Sequence, residues 1–326
     1  MTTHSKTARL NLEFYKKQAK ALLKSVRAGN DVATNRVRLY ASHRGVDPDV
    51  AQRQAELYQA QLTIAREQGF PSWTAFKRFI EESNLDFQGL VESFIDAAVS
   101  DGARAKAILA ENPKIAAAGF YVGLVLGNVK TVERSLSSSP ELAKEKSGPQ
   151  KCEPLLYVCF SRFANPASPH AEGLVEVARL LLQHGADPNT VTREVPDMPL
   201  SCVYAASGLN NNPALTKLLL EAGANPDDGE SLYHSTEHPD LACFKLLLAH
   251  GAKLADSNAL KHMLDYEHFE GVRLLLEAGA DPNERNHNNE TALHWGVWRR
   301  RSTQIIAALL NAGADVNAKR NDGRTA

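Results

Sequence analysis

One recurring phrase constrains the fold of this chain more than any other feature. Residues 181–190 read LLQHGADPNT, and residues 275–284 read LLEAGADPNE. A Gly-Ala pair after a leucine-rich run occurs five times, with spacings of 38, 28, 28 and 34 residues, at Gly185, Gly223, Gly251, Gly279 and Gly313. Self-similarity near a thirty-residue period is typical of repeat proteins. The phrase is therefore predicted to be a structural joint and not an active-site loop.

Each copy of the phrase lies at the end of a predicted helix. An apolar run with helical periodicity precedes the glycine, and a loop rich in Asp, Asn and Pro follows it. Glycine just past a helix end adopts the left-handed conformation at low cost, and proline cannot continue a helix. A shorter apolar segment lies upstream each time, at 153–160, 198–207, 230–237, 258–265 and 291–298. The predicted unit is a short helix, a turn, a longer helix, a glycine stop and a loop whose Asp and Asn side chains bond their own backbone.

These units resemble a known repeat. TALHWG (291–296) is similar to the T-P-L-H-x-A signature that opens an ankyrin repeat, and LLxxGADPN is similar to its closing segment. The resemblance implies an all-α ankyrin-repeat solenoid of helix pairs with short hairpin-like loops, with repeats at 153–197, 198–228, 229–257, 258–290 and 291–323. Residues 230–233 and 258–261 depart from the opening signature, and Lys253-Leu254 replaces Asp-Pro after Gly251-Ala252. Residues 321–326 resemble the start of a further repeat, so we expect the natural chain to continue.

The chain upstream of residue 153 has a different character. Segments 94–117 and 122–143 keep the helix-helix rhythm without the Gly-Ala phrase, and we interpret 90–152 as two degenerate ankyrin-like repeats. Residues 1–85 lack the phrase and are predicted to form a small helical domain. Its segment IAREQGFPSW (64–73) resembles an N-terminal helical segment of bacterial ankyrin-repeat proteins, and this resemblance implies no particular chemistry.

Hydrophobic periodicity predicts the helices of the N-terminal domain. The first carries an apolar stripe and ends at Gly29, the second spans 31–43, and the third runs from Asp47-Pro48 to Gly69. Ser72 is predicted to cap a fourth helix. The expected buried residues are Leu12, Tyr15, Ala19, Leu22 and Val26 in the first helix, and Trp73, Phe76, Phe79 and Ile80 in the fourth.

Composition indicates a soluble cytoplasmic protein. The chain is 43% hydrophobic and 23% charged, with a formal net charge of −1. The N-terminus lacks the apolar region of a secretory signal, and the apolar stretch 120–127 is too short to span a bilayer. The four cysteines form no CxxC or CxxH pair, which is typical of free thiols in a reducing compartment.

Basic residues are concentrated near the N-terminus. Residues 1–45 contain ten Lys or Arg and only two acidic residues, Glu13 and Asp31. A cationic face on the first helix could bind nucleic acid or an anionic membrane. The favoured interpretation is a solvated face opposite the apolar stripe. The residues on this face are Lys16, Lys20, Lys24 and Arg27.

The strongest enzyme-like string is His234-Ser235-Thr236-Glu237-His238, which matches H-x-x-E-H. In zinc peptidases this motif places two histidine ligands and a glutamate base on one helix, so a metal-dependent hydrolase is a remote alternative. Here Pro239 follows at once, which argues against a continuous helix. His294 is interpreted as structural. No nucleotide loop, G-x-S-x-G motif or catalytic triad is evident, so we predict no catalysis, no metal and no cofactor.

The resemblance implies a non-catalytic scaffold that binds a partner protein along a groove. In ankyrin repeats the residue after the opening signature faces this groove. Those positions, and positions one turn further on, are Tyr157, Phe160, Tyr204, His234, His262, Tyr266, Trp295, Trp298 and Arg299. Tyr, Trp and Arg are favoured anchors in protein interfaces. The alternative for each residue is packing against the adjoining helix. The partner is unidentified, and the chain is predicted to be a monomer.

Overall fold

A computed structural model describes residues 11–41, 56–192 and 199–326. These residues form helices joined by turns, with two isolated β-bridges, Ser147 to Cys152 and Val191 to Ser201. The chain divides into two compact units, residues 1–93 and 94–326. Each unit is described by itself.

The described residues of the first unit include the helices α1 (Leu12–Arg27), α2 (Asp31–Ala41), α3 (Leu57–Glu67) and α4 (Trp73–Ser83). The predicted cap of α4 is confirmed, because Ser72 Oγ accepts a hydrogen bond from the Ala75 N–H at 3.1 Å. Gly29 follows α1 with φ of 79°, as predicted for a helix stop. The predicted helix start at Asp47-Pro48 lies outside the described residues.

The apolar stripe of α1 forms the core of this unit. Ala19, Leu22 and Val26 are buried, and Leu12 and Tyr15 pack partly buried against the same cluster, which confirms the predicted stripe. In α4 the fully buried residues are Phe76 and Ile80, while Trp73 is partly buried. The predicted burial of Phe79 was wrong. Its side chain is 38% exposed because it stands on the edge of the stripe, where one ring face meets Phe70.

The second unit is a succession of helix pairs. The boundary between the units falls within α5 (Phe87–Ser100). The helices that follow it are α6 (Gly102–Glu111), α7 (Phe120–Leu126), α8 (Val129–Ser138), α9 (Pro154–Phe160), α10 (Ala171–Gln183), α11 (Cys202–Tyr204), α12 (Pro213–Glu221), α13 (Ser231–Ser235), α14 (Ala242–Ala249), α15 (Ala259–Met263), α16 (Phe269–Glu277), α17 (Ala292–Trp298) and α18 (Thr303–Asn311). The π-helical turn Ala205–Leu209 continues α11. From α9 onward each odd-numbered helix opens a repeat and each even-numbered helix closes it, as predicted. The two pairs before α9 end in the 3₁₀ turns Pro113–Ala117 and Pro140–Ala143.

The recurring glycine ends the second helix of each repeat. All five glycines have φ between 83° and 94°, the left-handed region. Around Gly185, the N–H of Ala186 bonds to Leu181 O at 3.0 Å and the N–H of Gly185 bonds to Leu182 O at 2.9 Å. This pair of bonds is a Schellman motif, which satisfies carbonyls at the helix end. The same bond from the alanine recurs at Ala224, Ala252, Ala280 and Ala314.

The loop after the glycine joins one repeat to the next. As predicted, its Asp side chain bonds its own backbone, for example Asp281 to the Asn283 N–H at 2.8 Å. The Asn283 amide donates to Gly313 O at 2.9 Å and accepts from the Asp315 N–H at 2.7 Å. Asn189 makes the equivalent two bonds with Gly223 and Asn225. Each asparagine therefore bridges consecutive repeats through two hydrogen bonds.

Of the four joints between consecutive described repeats, the two after Gly223 and Gly251 lack this asparagine bridge. Asp227 takes the asparagine position after Gly223, and its carboxylate pairs with Lys253 Nζ at 2.6 Å. Ala255 takes the position after Gly251 and has no polar group to offer. The joints between 223 and 258 are thus held by fewer specific bonds than those on either side.

Replacing Asn283 with Ala tests the bridge. The variant loses two hydrogen bonds between repeats, and we expect the free energy of unfolding to fall by about 1 kcal/mol because the site is partly exposed. Asn317→Ala is the matched control, since Asn317 holds the same loop position and its side chain makes no bridge in the described residues. Denaturant unfolding that shows equal loss in both variants would contradict the bridging role.

Candidate protein-binding groove

Side chains from three consecutive repeats form a continuous aromatic row. Tyr204 on α11 meets the ring of His234 on α13 at 5.2 Å between centroids. Tyr233, beside His234, stacks on His262 of α15 at 3.8 Å and 16°. His262 in turn meets Tyr266 edge-on at 5.6 Å. We call these five residues the aromatic row.

Close approach of the first helices makes this row possible. A Cβ built on Gly208 would lie 2.7 Å from His234 Cβ, so only glycine fits between α11 and α13 at this point. The π-helical turn that contains Gly208 displaces the backbone by one residue and lets Asn210 and Asn212 reach back to the Cys159 and Ala164 carbonyls.

A second cluster follows on α17. The Arg299 guanidinium lies over the rings of Trp298 and Trp295, at 4.6 and 5.2 Å from their centroids. Asp265 of the preceding repeat accepts a hydrogen bond from Trp295 Nε1 at 2.9 Å and pairs with Arg299 at 2.6 Å. These contacts hold a cation over two adjacent aromatic rings, while Trp298 remains 63% exposed. We call Asp265, Trp295, Trp298 and Arg299 the tryptophan cluster.

The structure brings together seven of the nine groove residues predicted from sequence, distributed between the row and the cluster. The prediction for Tyr157 was wrong. Its side chain is fully buried, and its hydroxyl donates to Ser147 O at 3.0 Å and accepts from the Gln150 N–H at 2.8 Å. Burial raises the pKa of this hydroxyl. Phe160 is half-buried and lines a separate cavity with Leu156 and Leu200.

His262 joins the row as an internal member. Only 7% of its surface is exposed, so it supports neighbouring rings and offers little area to a partner, contrary to the prediction. Its Nδ1 lies 2.7 Å from Thr236 Oγ1. Burial lowers the pKa of His262, because a charged imidazole is disfavoured away from water.

The middle of the row lies in an acidic environment. His234 is flanked by Glu230, with Oε2 at 3.3 Å from Nε2, and by Glu237, with Oε1 at 2.9 Å from Nδ1. Burial, followed by the Glu230 and Glu237 charges, raises the pKa of Tyr204. Burial also raises the pKa of Tyr233, with a further contribution from Asp265.

The H-x-x-E-H string does not form the helical metal motif. Helix α13 ends at Ser235, before Glu237 and His238. His238 Nε2 lies 2.6 Å from Gly208 O and is engaged in holding two repeats together. Within the described residues, no group of three or more His, Cys, Asp or Glu side chains is arranged to hold a metal ion.

The structural interpretation of His294 is confirmed. Its Nδ1 accepts a hydrogen bond from the Thr291 N–H at 3.2 Å and lies 2.9 Å from Thr291 Oγ1. Thr291 and His294 together form a capping box at the start of α17. Its Nε2 lies 3.4 Å from Arg324 O in the following loop. The histidine therefore connects its own helix to the next segment of chain.

Sequence reasoning missed Tyr233 and Asp265. Tyr233 occupies the same position in its repeat as His294 occupies in the last repeat, and the residue at that position normally has a structural role. An aromatic residue there, where the capping histidine is expected, was the available signal. Asp265 carries no such signal, because its role depends on the tryptophan and arginine of the following repeat.

Family comparisons agree with this geometry. A model of ankyrin repeats in three copies matches residues 202–286 and 239–320, and a single ankyrin-repeat model matches residues 164–193. This part of the chain therefore consists of ankyrin repeats, and the fold is an all-α ankyrin-repeat solenoid. Domains of this class are typically protein-interaction scaffolds without catalytic activity.

Two solved structures illustrate the similarity. The human ASB11 ankyrin repeat domain is 19% identical, with a TM-score of 0.48, and the match covers 62% of this chain and 87% of that one. The ankyrin repeat domain of Bcl-3, described as a unique member of the IkappaB protein family, is 24% identical, with a TM-score of 0.49 and coverage of 63% and 90%. Comparison with curated proteins finds no match. Among the described helices, none is long and apolar enough to cross a membrane.

Asp265→Ala tests how the tryptophan cluster is held. The variant removes the acceptor of the Trp295 indole and the partner of Arg299, and we expect a loss of about 1 kcal/mol in unfolding free energy, given the partial exposure. The indole N–H resonance of Trp295 should shift in an NMR spectrum of the three tryptophans. In the control Glu267→Ala, which removes the neighbouring pair with Arg301, it should stay in place. An unmoved resonance in Asp265→Ala would contradict the described contact.

Proposed function

We propose that this protein is a monomeric, non-catalytic, cytoplasmic scaffold. It binds a partner protein along the face formed by the first helices of its ankyrin repeats, which we call the first-helix face. The proposed division is a basic helical domain at 1–85, two degenerate repeats at 90–152 and the binding repeats at 153–326. A reducing location is supported by Cys159, Cys202 and Cys243, which are buried free thiols.

The tryptophan cluster is the observation that carries this proposal. Interface hot spots are enriched in Trp, Tyr and Arg and are held rigid before binding, which reduces the entropy lost on association. Trp298 is largely exposed although Arg299 and Trp295 fix one of its faces. A large exposed ring that is immobilised at one end of an aromatic row is unfavourable in free energy if the surface contacts only water.

The geometry also favours binding over catalysis. The two histidines of the row already have partners: His234 contacts two glutamates and His262 contacts Thr236. His238, outside the row, contacts the Gly208 carbonyl. A general base or nucleophile needs a partner group within hydrogen-bond reach and a space for substrate beside both. The first-helix face provides rings and carboxylates in a line, which suits an extended partner surface.

Trp298→Ala tests the hot spot. We expect roughly thirtyfold weaker partner binding, corresponding to about 2 kcal/mol, because the exposed ring contributes to contact and not to the core. A pull-down from native lysate followed by titration of the captured protein measures this loss. Leu310→Ala is the control, since Leu310 is 41% exposed on the second helix of the same repeat. Equal capture by both variants would refute the assignment of the groove.

An adaptor role for the N-terminal unit is the second candidate. Lys20 and Lys24 are exposed on α1 and form no ion pair within the described ranges, and Phe14 nearby is 53% exposed. Lys16 is partly neutralised by Glu13 at 2.6 Å, which weakens the cationic face formed with Arg27. Lys20 and Lys24 still give this side of α1 a cationic face, as surface-binding helices have.

Retention on DNA and on anionic vesicles decides this second candidate. If the face binds polyanions, retention of the unmodified chain should fall with added salt. A variant with Lys16, Lys20 and Lys24 all replaced by Gln should lose this retention. Replacing Lys77, Lys130 and Lys217 by Gln gives a control of equal charge change. Retention that is absent in the unmodified chain, or that survives the α1 substitutions, would contradict the adaptor role. The protein-binding scaffold would then be the one proposed function left.

A further inference from the structure

A cleft of about 420 Å³ opens beside the tryptophan cluster. Helices α15 and α17 form one wall and the loops before them form the other. Lys261, His262, Asp265, Glu284, Arg285 and Trp295 are among its lining residues. The cleft lies at the joint that follows Ala255, where the repeat pattern departs most from its neighbours.

Lys261 is the unusual residue of this cleft. It stands three residues after Asn258, as His294 stands three residues after Thr291 in the next repeat. An ammonium group cannot accept the capping hydrogen bond that His294 accepts, so Lys261 has another role. Its side chain is only 9% exposed, and its Nζ lies 3.9 Å from Glu284 Oε1, beyond hydrogen-bond distance. Within the described residues this carboxylate is its only ionic partner.

The Lys261 side chain is nine-tenths buried, and its ammonium has one distant carboxylate as its partner among the described residues. Lysine carries three donors, and burying its charge costs free energy unless these donors are matched. No acceptor in the described part of the chain receives a hydrogen bond from Lys261 Nζ, which lines the cleft. The donors are therefore available to whatever occupies the cleft.

The other charges of the cleft define the occupant. Asp265 is already engaged by Arg299 and Trp295. Arg285 donates only to the Asn289 and Lys319 carbonyls, at 3.2 and 3.0 Å, and forms no ion pair in the described residues. Lys261, Arg285 and Glu284 thus line the cleft together, while Asp256 is exposed to solvent. Against the single carboxylate of Glu284, Lys261 and Arg285 leave one positive charge, which matches one additional carboxylate and not the two charges of a phosphate dianion.

We propose that this cleft binds the carboxylate of an Asp or Glu side chain in an extended segment of the partner, with Lys261 as its hydrogen-bond donor. The inference rests on the proposed protein-binding function and specifies its partner chemistry. Trp295 flanks the bound side chain, and the neighbouring Trp298 contacts the same segment. Lys261 is then the specificity-determining residue of the first-helix face.

Peptide selection tests the proposal even though the partner is unidentified. Twelve-residue peptides displayed on phage are selected on the full 326-residue chain, and the enriched sequences should share Asp or Glu at one fixed position. Exchanging that residue for Asn or Gln in a synthetic peptide should weaken binding at least about tenfold, the usual value of a charge-assisted hydrogen bond. Lys261→Met should bind both peptides equally.

Controls separate this inference from the proposed function and from loss of fold. Lys253→Met removes an exposed lysine outside the cleft and should preserve the tenfold preference, as should Lys261→Arg. Glu284→Gln should strengthen binding of the acidic peptide, and thermal unfolding verifies that each variant is folded. Enriched peptides that depend on Trp298 but carry a neutral or basic residue at every fixed position would overturn the carboxylate proposal alone. Failure to enrich any peptide would contradict the proposed function and this inference together.

Discussion

The stacking of one helix pair on the next is the interaction on which the second unit depends. The leucine four residues before each recurring glycine is completely buried: Leu181, Leu219, Leu247, Leu275 and Leu309. A single pair of short helices cannot remove such side chains from water, so each repeat is stable only against its neighbours. The glycine and the alanine after it end the helix at a fixed point. The aromatic row follows from this regularity, because successive first helices are stacked so that a ring of one helix meets the ring one position further on in the next, as Tyr204 meets His234 and Tyr233 meets His262.

The features of the proposed binding surface lie where the repetition is broken. The asparagine bridge is present after Gly185 and Gly279, an ion pair replaces it after Gly223, and nothing replaces it after Gly251. Near the last of these joints, lysine occupies the position of the capping histidine and a cleft is open. The tryptophan cluster is adjacent. The joint without a bridging bond therefore lies next to the unusual side chains. Such local departures from the repeat pattern give a uniform scaffold a specific surface.

Periodicity and helix-stop residues predicted most of the fold. The spacing of the Gly-Ala pairs located the helix pairs from α9 to α18, and Ser72 and the stripe from Leu12 to Val26 located helices of the first unit. The groove was predicted less well because burial depends on neighbours that are distant in sequence. Tyr157 is buried because Ser147 and Gln150 fold over its hydroxyl, and Asp265 acquires its role from Trp295 and Arg299. Gly173 shows the same limit: a Cβ there would lie 2.3 Å from Gly127 O, a contact that no local pattern indicates.

Hydrogen exchange of the chain with and without its captured partner tests the central claim most directly. If the partner binds along the first-helix face, amide protection should increase in segments 202–209, 231–237, 259–266 and 292–301. The second helices α12, α14, α16 and α18 should exchange as they do in the free chain. Protection confined to residues 11–85, or spread over the second helices with no change at 292–301, would contradict the account.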